Sequence, residues 1–334
     1  MMTHPFAKVA SENTSPSCWV VTDGRVGMEN QCLGLAEALG VTPTVKRIVL
    51  RTPWKQLSPF LRILLSYAVS SKGDPIAPPW PDLLIASGRA SVPVSLFVRR
   101  MSASAGEKRT FTVQIQNPVI DPSYFDLVVA PHHDRLEGPN VMSTRGGLHR
   151  VTSKLLSEEA NRLLPQLKDF PEPRIAVVIG GSSSAYTLNA PEMEKIAAQL
   201  RKLAVNGKSL LITTSRRTGA ENLAILQNAL RGTPSFIWDG QGHNPYYGML
   251  GLAEAILVTC DSVNMISEAC STGKPVMIID LPGGSEKFQF FHKTLRESGM
   301  TRPFRGTIES WTYEPLDEMR LVAERVKQMM NKRS

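Results

Sequence analysis

The segment VTCDSVNMISEACSTGKPV (258–276) carries the densest chemistry in the chain. An apolar strand runs into an Asp261-Ser262 cap, then a short helix bearing Ser267 and Glu268, a stop at Gly273 and a proline before the next apolar run. The free N–H groups of a helix start favour anions. A carboxylate one turn on, Glu268, suits two ribose hydroxyls, its plainer reading being a surface acid. Two earlier loops share the same bias. Gly180, Gly181, Ser182, Ser183 and Ser184 follow IAVVI, and Thr213 to Gly219, with Arg216 and Arg217, follow LLI. Glycines leave backbone donors unhindered, and arginines bring a planar donor fork to phosphate oxygens. Solvated turns have a similar composition, but two such loops at successive strand ends point to an anionic ligand.

The first half has its own polar loops. TDGRVGMENQ (22–31) gathers Asp23, Gly24, Glu29, Asn30 and Gln31 at a helix start, as a ligand loop or as a turn with acidic capping. Its spacing is not GxGxxG, so a dinucleotide fingerprint is not indicated. ASGRASVP brings Ser87, Gly88 and Arg89, QIQNP brings Gln116 and Asn117, and PHHD brings His132, His133 and Asp134. Each is also ordinary turn chemistry; together they suggest the rim of one cleft. Asp23, Glu29, His132, His133 and Asp134 are candidate general bases that spacing alone does not rank. Adjacent histidines on a strand end point apart and no third ligand is evident, so no metal site is expected. Cys18, Cys32, Cys260 and Cys270 are too scattered for a disulfide scaffold and read as reduced thiols.

These loops need a frame. Short apolar runs bounded by Gly, Pro or Asp recur at 18–24, 45–50, 81–88, 111–116 and 125–131, then at 175–181, 209–215, 235–240, 255–261 and 274–280. Several are continuous, as in strands buried on both faces of a parallel sheet. Helical stretches at 29–40, 190–205 and 220–231 alternate with them, which predicts an open α/β sheet. The alternation pauses between 151 and 173, resumes at Arg174, and closes on a helical pattern from Glu314 to Asn331. With 334 residues, two domains are expected.

The formal charge of +8 is divided as +5 over residues 1–165 and +3 over 166–334, so neither half is extreme. No RNA- or DNA-reading motif accompanies it, and a nucleic-acid partner is not expected. Residues 43–73 contain six basic side chains and no acid, interleaved with apolar and aromatic ones. Arg51, Trp54, Lys55 and Arg62 therefore form a candidate patch for an anionic membrane surface; the alternative is a core helix, near 54–69, with a basic outer face. No run of about 18 apolar residues offers a spanning helix. Residues 1–16 lack a secretory or transit pattern and read as a loose tail.

IAVVIGGSSS, TTSRRT and DSVNMISEACSTGKPV resemble the donor half of GT-B glycosyltransferases, especially the lipid-acceptor type that makes peptidoglycan precursor. IASGRASVPV and QIQN are similar to that group's N-terminal loops. TDGRVGMENQCLGLAEALG, FDLVVAPHHD and WDGQGHNPYYGMLGLAEAILVTCDSVNMISEACSTGKPV resemble the plant mitochondrial-fission "elongated mitochondria" family and its bacterial homologues. The resemblance implies an α/β, GT-B-like fold: two Rossmann-like domains facing across a cleft, with a C-terminal helix crossing back to the first. Its expected parts are a tail at 1–16, an acceptor-side domain at 17–165, a nucleotide-sugar domain at 166–310 and the returning helix at 311–334. It further implies a nucleoside diphosphate sugar as donor, without a separate cofactor or metal. Glu268 would hold the ribose, Ser262 to Met265 the diphosphate, Gly181 and Ser182 would line the pocket, and Arg216 would lie near base or phosphate. The acceptor would be lipid-linked or membrane-associated, and the protein cytoplasmic and peripheral at the inner face of the membrane. The transferases' acceptor-loop histidine is missing, with Asp23 or Glu29 as its stand-in and His132 a further candidate. That departure favours the alternative of a non-catalytic membrane scaffold with a protein partner, since the plant relatives are understood as recruiters of a fission GTPase.

Overall fold

The computed structural model describes residues 15–104, 106 and 108–333, so the tail expected at 1–16 lies outside it up to residue 14. The first half builds strands β1 (Cys18–Thr22), β2 (Pro43–Arg47), β3 (Leu83–Ser87), β4 (Phe111–Ile115), β5 (Leu127–Pro131) and β6 (Val141–Thr144). The second builds β7 (Arg174–Ile179), β8 (Ser209–Thr214), β9 (Ser235–Ile237), β10 (Ala255–Thr259), β11 (Val276–Ile279) and β12 (Thr301–Pro303). The helices are α1 (Val26–Leu39), α2 (Trp54–Leu57), α3 (Val92–Ser104), α4 (Ser153–Leu163), α5 (Ala190–Val205), α6 (Ala220–Leu230), α7 (Tyr246–Leu252), α8 (Val263–Cys270), α9 (Glu286–Glu297) and α10 (Glu318–Asn331).

Both sheets are parallel and six-stranded, in the orders β2-β1-β3-β4-β5-β6 and β12-β11-β10-β7-β8-β9. The continuous apolar runs are the central strands, and β1, β3, β4, β5, β7, β10 and β11 are buried along their whole length. Alternation sorts their side chains to two faces. In the first sheet Val20, Leu83 and Ile85 pack on one side with Leu35 of α1, while Trp19, Val21, Leu84 and Ala86 meet Val94 and Val98 of α3 on the other. Met319, Val322, Ala323 and Val326 of α10 join the α1 side, so the last helix returns to the first domain as expected. Of the four edge strands, β2 and β9 coincide with apolar runs, while the short, partly exposed β6 and β12 escape the sequence pattern.

Residues 54–69 do not form the single helix the sequence suggested. After α2 the chain leaves helical geometry at Ser58, with ψ at 134°, ahead of Pro59, which has no N–H to continue the ladder. Trp54, expected in an outward patch, is buried and its indole donates to the Ile63 carbonyl at 3.1 Å. Leu57, Phe60, Ile63, Leu64 and Tyr67 remain exposed. No described helix is long and apolar enough to cross a membrane.

Candidate functional site

In parallel sheets ligands sit beyond the carboxyl ends of the strands, where strand order reverses. The first sheet reverses between β1 and β3, the second between β7 and β10. The loops after these strands face each other across a cleft of about 710 Å³. Arg25, Met28, Gln31, Gln116 and His133 line one wall, and Ser262, Val263, Asn264, Ser285 and Lys287 the other.

The second wall is made of helix starts. Ser262 caps α8, its hydroxyl accepting from the Met265 N–H at 3.4 Å, and Ser285 caps α9 by accepting from the Phe288 N–H at 3.4 Å. Both termini bring unpaired N–H groups and the positive end of a helix dipole to the cleft. Lys287 adds a cation, shared with Asp134 across the cleft at 2.5 Å. The α9 start and its preceding Gly283 and Gly284, with φ of 112° and 126°, were not singled out from the sequence. The signal was the LPGGSEK turn after β11, the same strand-to-loop pattern used elsewhere.

Polar groups also join the walls directly. The Gln31 amide donates to Asn264 Oδ1 at 2.9 Å, and its own carbonyl oxygen accepts from Ser87 at 3.3 Å and Gln116 at 3.2 Å. Asn30 donates to the Tyr247 hydroxyl at 3.5 Å, and the Gly147 N–H to Ser267 Oγ at 2.9 Å. The approach is so close that a side chain on Gly27 would stand 2.6 Å from Asn264. Of the expected rim residues, Gln31, Ser87 and Gln116 thus form one network. Gly88 is held against Met28, where a Cβ would meet sulfur at 2.8 Å. Gly24, Arg89 and Asn117 do not line the cleft: Gly24 and Arg89 are exposed, and the Asn117 side chain closes a local turn by accepting from the Val119 N–H.

Several sequence assignments change. His132 is exposed and borders a separate cavity with Arg135 and Leu136: β5 ends at Pro131 and residues 132–134 form a 3-10 turn, whose successive side chains leave about 120° apart. His133 faces the cleft instead. Burial, helped by nearby Lys287, pushes its imidazole down to about 4 although Asp134 pulls the other way, so it is neutral at pH 7. Asp23 accepts three bonds from the Arg25 guanidinium. Partial desolvation would raise its pKa, but Arg25 overcomes this and holds the carboxyl below its ordinary value. Glu29 accepts both Arg47 donors at 3.0 and 2.7 Å. Neither acid is a free base at the cleft.

In the second domain, Asp261 organises the glycine loop. Its carboxylate accepts from the Gly181 N–H at 3.0 Å, Thr259 at 2.6 Å and Arg217 at 2.6 Å. A Cβ at Gly180 would stand 2.1 Å from Asp261, and one at Gly181 would stand 2.2 Å from the Arg217 backbone, so close packing requires both glycines. The Ser182 hydroxyl is committed to Leu188, donating to its carbonyl and accepting from its N–H. Arg217, rather than Arg216, holds this loop by donating to the Gly181 carbonyl at 2.9 Å. Glu268 is buried and is not among the residues lining the cleft; it accepts from the Tyr246 hydroxyl at 2.8 Å and the Tyr247 hydroxyl at 3.3 Å. Burial pushes its carboxyl up to about 7 against the lowering effect of those two bonds. Among the described residues no group of three or more His, Cys, Asp or Glu side chains converges as a metal site would need.

Comparison with known proteins agrees with this architecture. The UDP-GlcNAc 2-epimerase of Methanocaldococcus jannaschii, solved with UDP-GlcNAc and UDP, superposes with a TM-score of 0.55 at 11% identity, over 95% of this chain and 99% of that one. At such identity the likeness is one of fold, here GT-B. Mitochondrial fission protein ELM1 of Arabidopsis thaliana is 28% identical, with 96% of this chain and 93% of that protein covered. An uncharacterised protein of Rickettsia prowazekii is also 28% identical, over 92% of this chain and 97% of its own. The match to the Mitochondrial fission ELM1 family runs over residues 26–330, through both sheets and the returning helix, and the chain belongs to that family.

Proposed function

We propose that this protein binds a nucleoside diphosphate sugar in the cleft and transfers its glycosyl group to a membrane-associated acceptor. The observation that carries the reading is the pair of helix starts, α8 at Ser262 and α9 at Ser285, lining one wall of the cleft with Lys287 beside them. Preformed donors of this kind stabilise the charge that develops on a departing diphosphate. Neutral His133 lines the facing wall and could accept the proton of an attacking hydroxyl. Transfer then needs no metal: the acceptor oxygen bonds to the anomeric carbon, the diphosphate leaves to the helix starts, and His133 takes the proton.

The membrane side of the proposal rests on the segment after β2. Arg51, Lys55 and Arg62 are exposed beside Leu57, Phe60, Ile63 and Leu64, and the Ser58 hydroxyl donates to the Arg89 carbonyl at 2.7 Å. That bond ties the segment to the loop after β3, next to the cleft, so a lipid-linked acceptor would have a short path inward. On this reading the protein is cytoplasmic and peripheral on a membrane face.

A second reading, a membrane-surface scaffold with a protein partner, is favoured by one fact. Asp23, Glu29 and Glu268, the carboxylates with the clearest catalytic or ribose roles, are all engaged by neighbouring side chains. The name of the Arabidopsis relative suits this reading.

Thermal denaturation with UDP, GDP, CDP and ADP tests the donor site. At least one should raise the melting temperature by mass action. Ser262→Asp keeps an N-cap but sets a negative charge at the phosphate position, and should abolish the shift. No response to any of the four overturns the donor site. A response without consumption of any nucleotide sugar across acceptor-containing membrane extracts favours the scaffold.

A further inference from the structure

A second cavity, of about 440 Å³, lies on the first domain away from the cleft. Arg62, Arg99, Arg100 and Arg109 line it, with Leu65 and Tyr124 among its apolar walls. No carboxylate among the described residues lines it. The nearest buried acid is Asp126, whose Oδ1 is already shared by Arg99 at 3.1 Å, Arg109 at 3.2 Å and Arg333 at 2.8 Å. Its Oδ2 accepts from the Thr112 N–H and hydroxyl. One negative charge therefore faces three guanidinium groups, while the Arg99 Nε is buried without a partner. Arg62 stacks over the Tyr124 ring at 4.7 Å, a cation–π contact, and Asp121 acts on it through space. Arg100 is exposed. The cavity is thus a cationic hollow with planar donors, the chemistry that takes a phosphate.

Its rim distinguishes a phosphate in a bilayer from one in solution. Arg62 and Leu65 belong to the same segment that exposes Leu57, Phe60, Ile63, Leu64 and Tyr67, each between 51% and 67% accessible. The segment is held in place by the Trp54 indole on the Ile63 carbonyl and by Ser58 on Arg89. The turn at Leu65–Tyr67 packs on α3, which carries Arg99 and Arg100. A fixed apolar tip directly beside an anion cavity fits a lipid interface, where acyl chains and headgroup phosphates lie a few ångströms apart.

We propose that the arginine cavity is a phosphate-headgroup site for an anionic glycerophospholipid, with Phe60, Ile63 and Leu64 entering the acyl layer beside it. This rests on the membrane reading above and adds the site that selects the lipid.

The test is sedimentation of the full chain with vesicles of phosphatidylcholine alone or mixed with phosphatidylglycerol. Wild type should partition to the mixed vesicles. Arg62→Glu/Arg100→Glu avoids the arginines that hold Asp126, and should lower that partition at least ten-fold, since each basic residue near an anionic surface is worth about five-fold. Phe60→Ser/Ile63→Ser should weaken binding to both vesicle types; both variants should melt like wild type. Equal partition of the arginine variant and wild type, with loss in the apolar variant, overturns the headgroup site and leaves the membrane reading standing. No binding of wild type to either vesicle overturns both. Protection of wild type by inorganic phosphate without vesicle binding reassigns the cavity to a soluble anion and also overturns the proposal. None of these outcomes touches the nucleotide response, which reads the cleft.

Discussion

Replacing Glu268 by Gln should change how the stability of this protein depends on pH. Glu268 is buried and both of its oxygens accept from tyrosine hydroxyls, yet its carboxyl is raised from the ordinary 4.5 to about 7 because desolvation outweighs those bonds. Between these two values the native protein holds a proton that the unfolded chain has lost. Linkage then requires stability from this group to be fully present below pH 4.5 and to be lost as pH rises through 7. A displacement of two to three pKa units corresponds to about 3 kcal/mol. Glu268→Gln preserves an acceptor for one tyrosine and cannot titrate. Urea unfolding of both proteins at intervals from pH 4 to 8.5, taken as the wild-type minus variant difference, cancels the other ionisable groups. The difference should fall by about 3 kcal/mol across the window and then level. Tyr246→Phe, which removes the stronger of the two lowering bonds, should move the window to higher pH. A difference that stays level from pH 4.5 to 7 would refute the burial of Glu268 and the tyrosine cover above it.

Other outcomes follow from the same geometry. Gly181→Ala would drive a methyl group into the Arg217 backbone at 2.2 Å and should cost about 2–3 kcal/mol in chemical denaturation. Arg217→Ala would strand the fully buried Asp261 and should cost about 2–3 kcal/mol, low for a buried pair because Arg217 is 41% exposed, whereas Arg216→Ala should stay within about 0.5 kcal/mol. Comparable losses in both arginine variants would contradict the assignment. His149 is buried with neither ring nitrogen paired, and burial pushes it down to about 4. Its contribution is present above the unfolded value near 6.5 and lost as pH falls toward 4, so His149→Leu should flatten acid sensitivity in that interval, read from melting temperatures.

Much of the fold was legible in the residue pattern. All ten apolar runs coincide with strands, most of them buried on both faces, where a parallel strand must be apolar throughout. The edge strands Val141–Thr144 and Thr301–Pro303 are partly exposed and left no such trace. The segment at 54–69 misled because apolar spacing suited a helix while Pro59 forbade one, and the resulting loop exposes more apolar surface than the pattern suggested. At the site, the Ser262 cap and the α8 start were readable because capping is local grammar. That His133 lines the cleft and His132 does not was not readable, because it depends on how the turn after β5 aims each ring.

By itself the sequence determined the element types, the two α/β series and the strand-end loops that could meet an anion, since propensity, capping and burial pattern act over a few residues. Only the tertiary structure decided which polar groups are available. Arg25 and Arg47 claim Asp23 and Glu29, Tyr246 and Tyr247 cover Glu268, and Arg217 rather than Arg216 anchors the glycine loop. Apart from Arg25, two residues from Asp23, these partners lie on other elements, 18 to 44 residues away. A charge in a low-dielectric site takes whatever complement the packing brings within reach, and no local pattern records that.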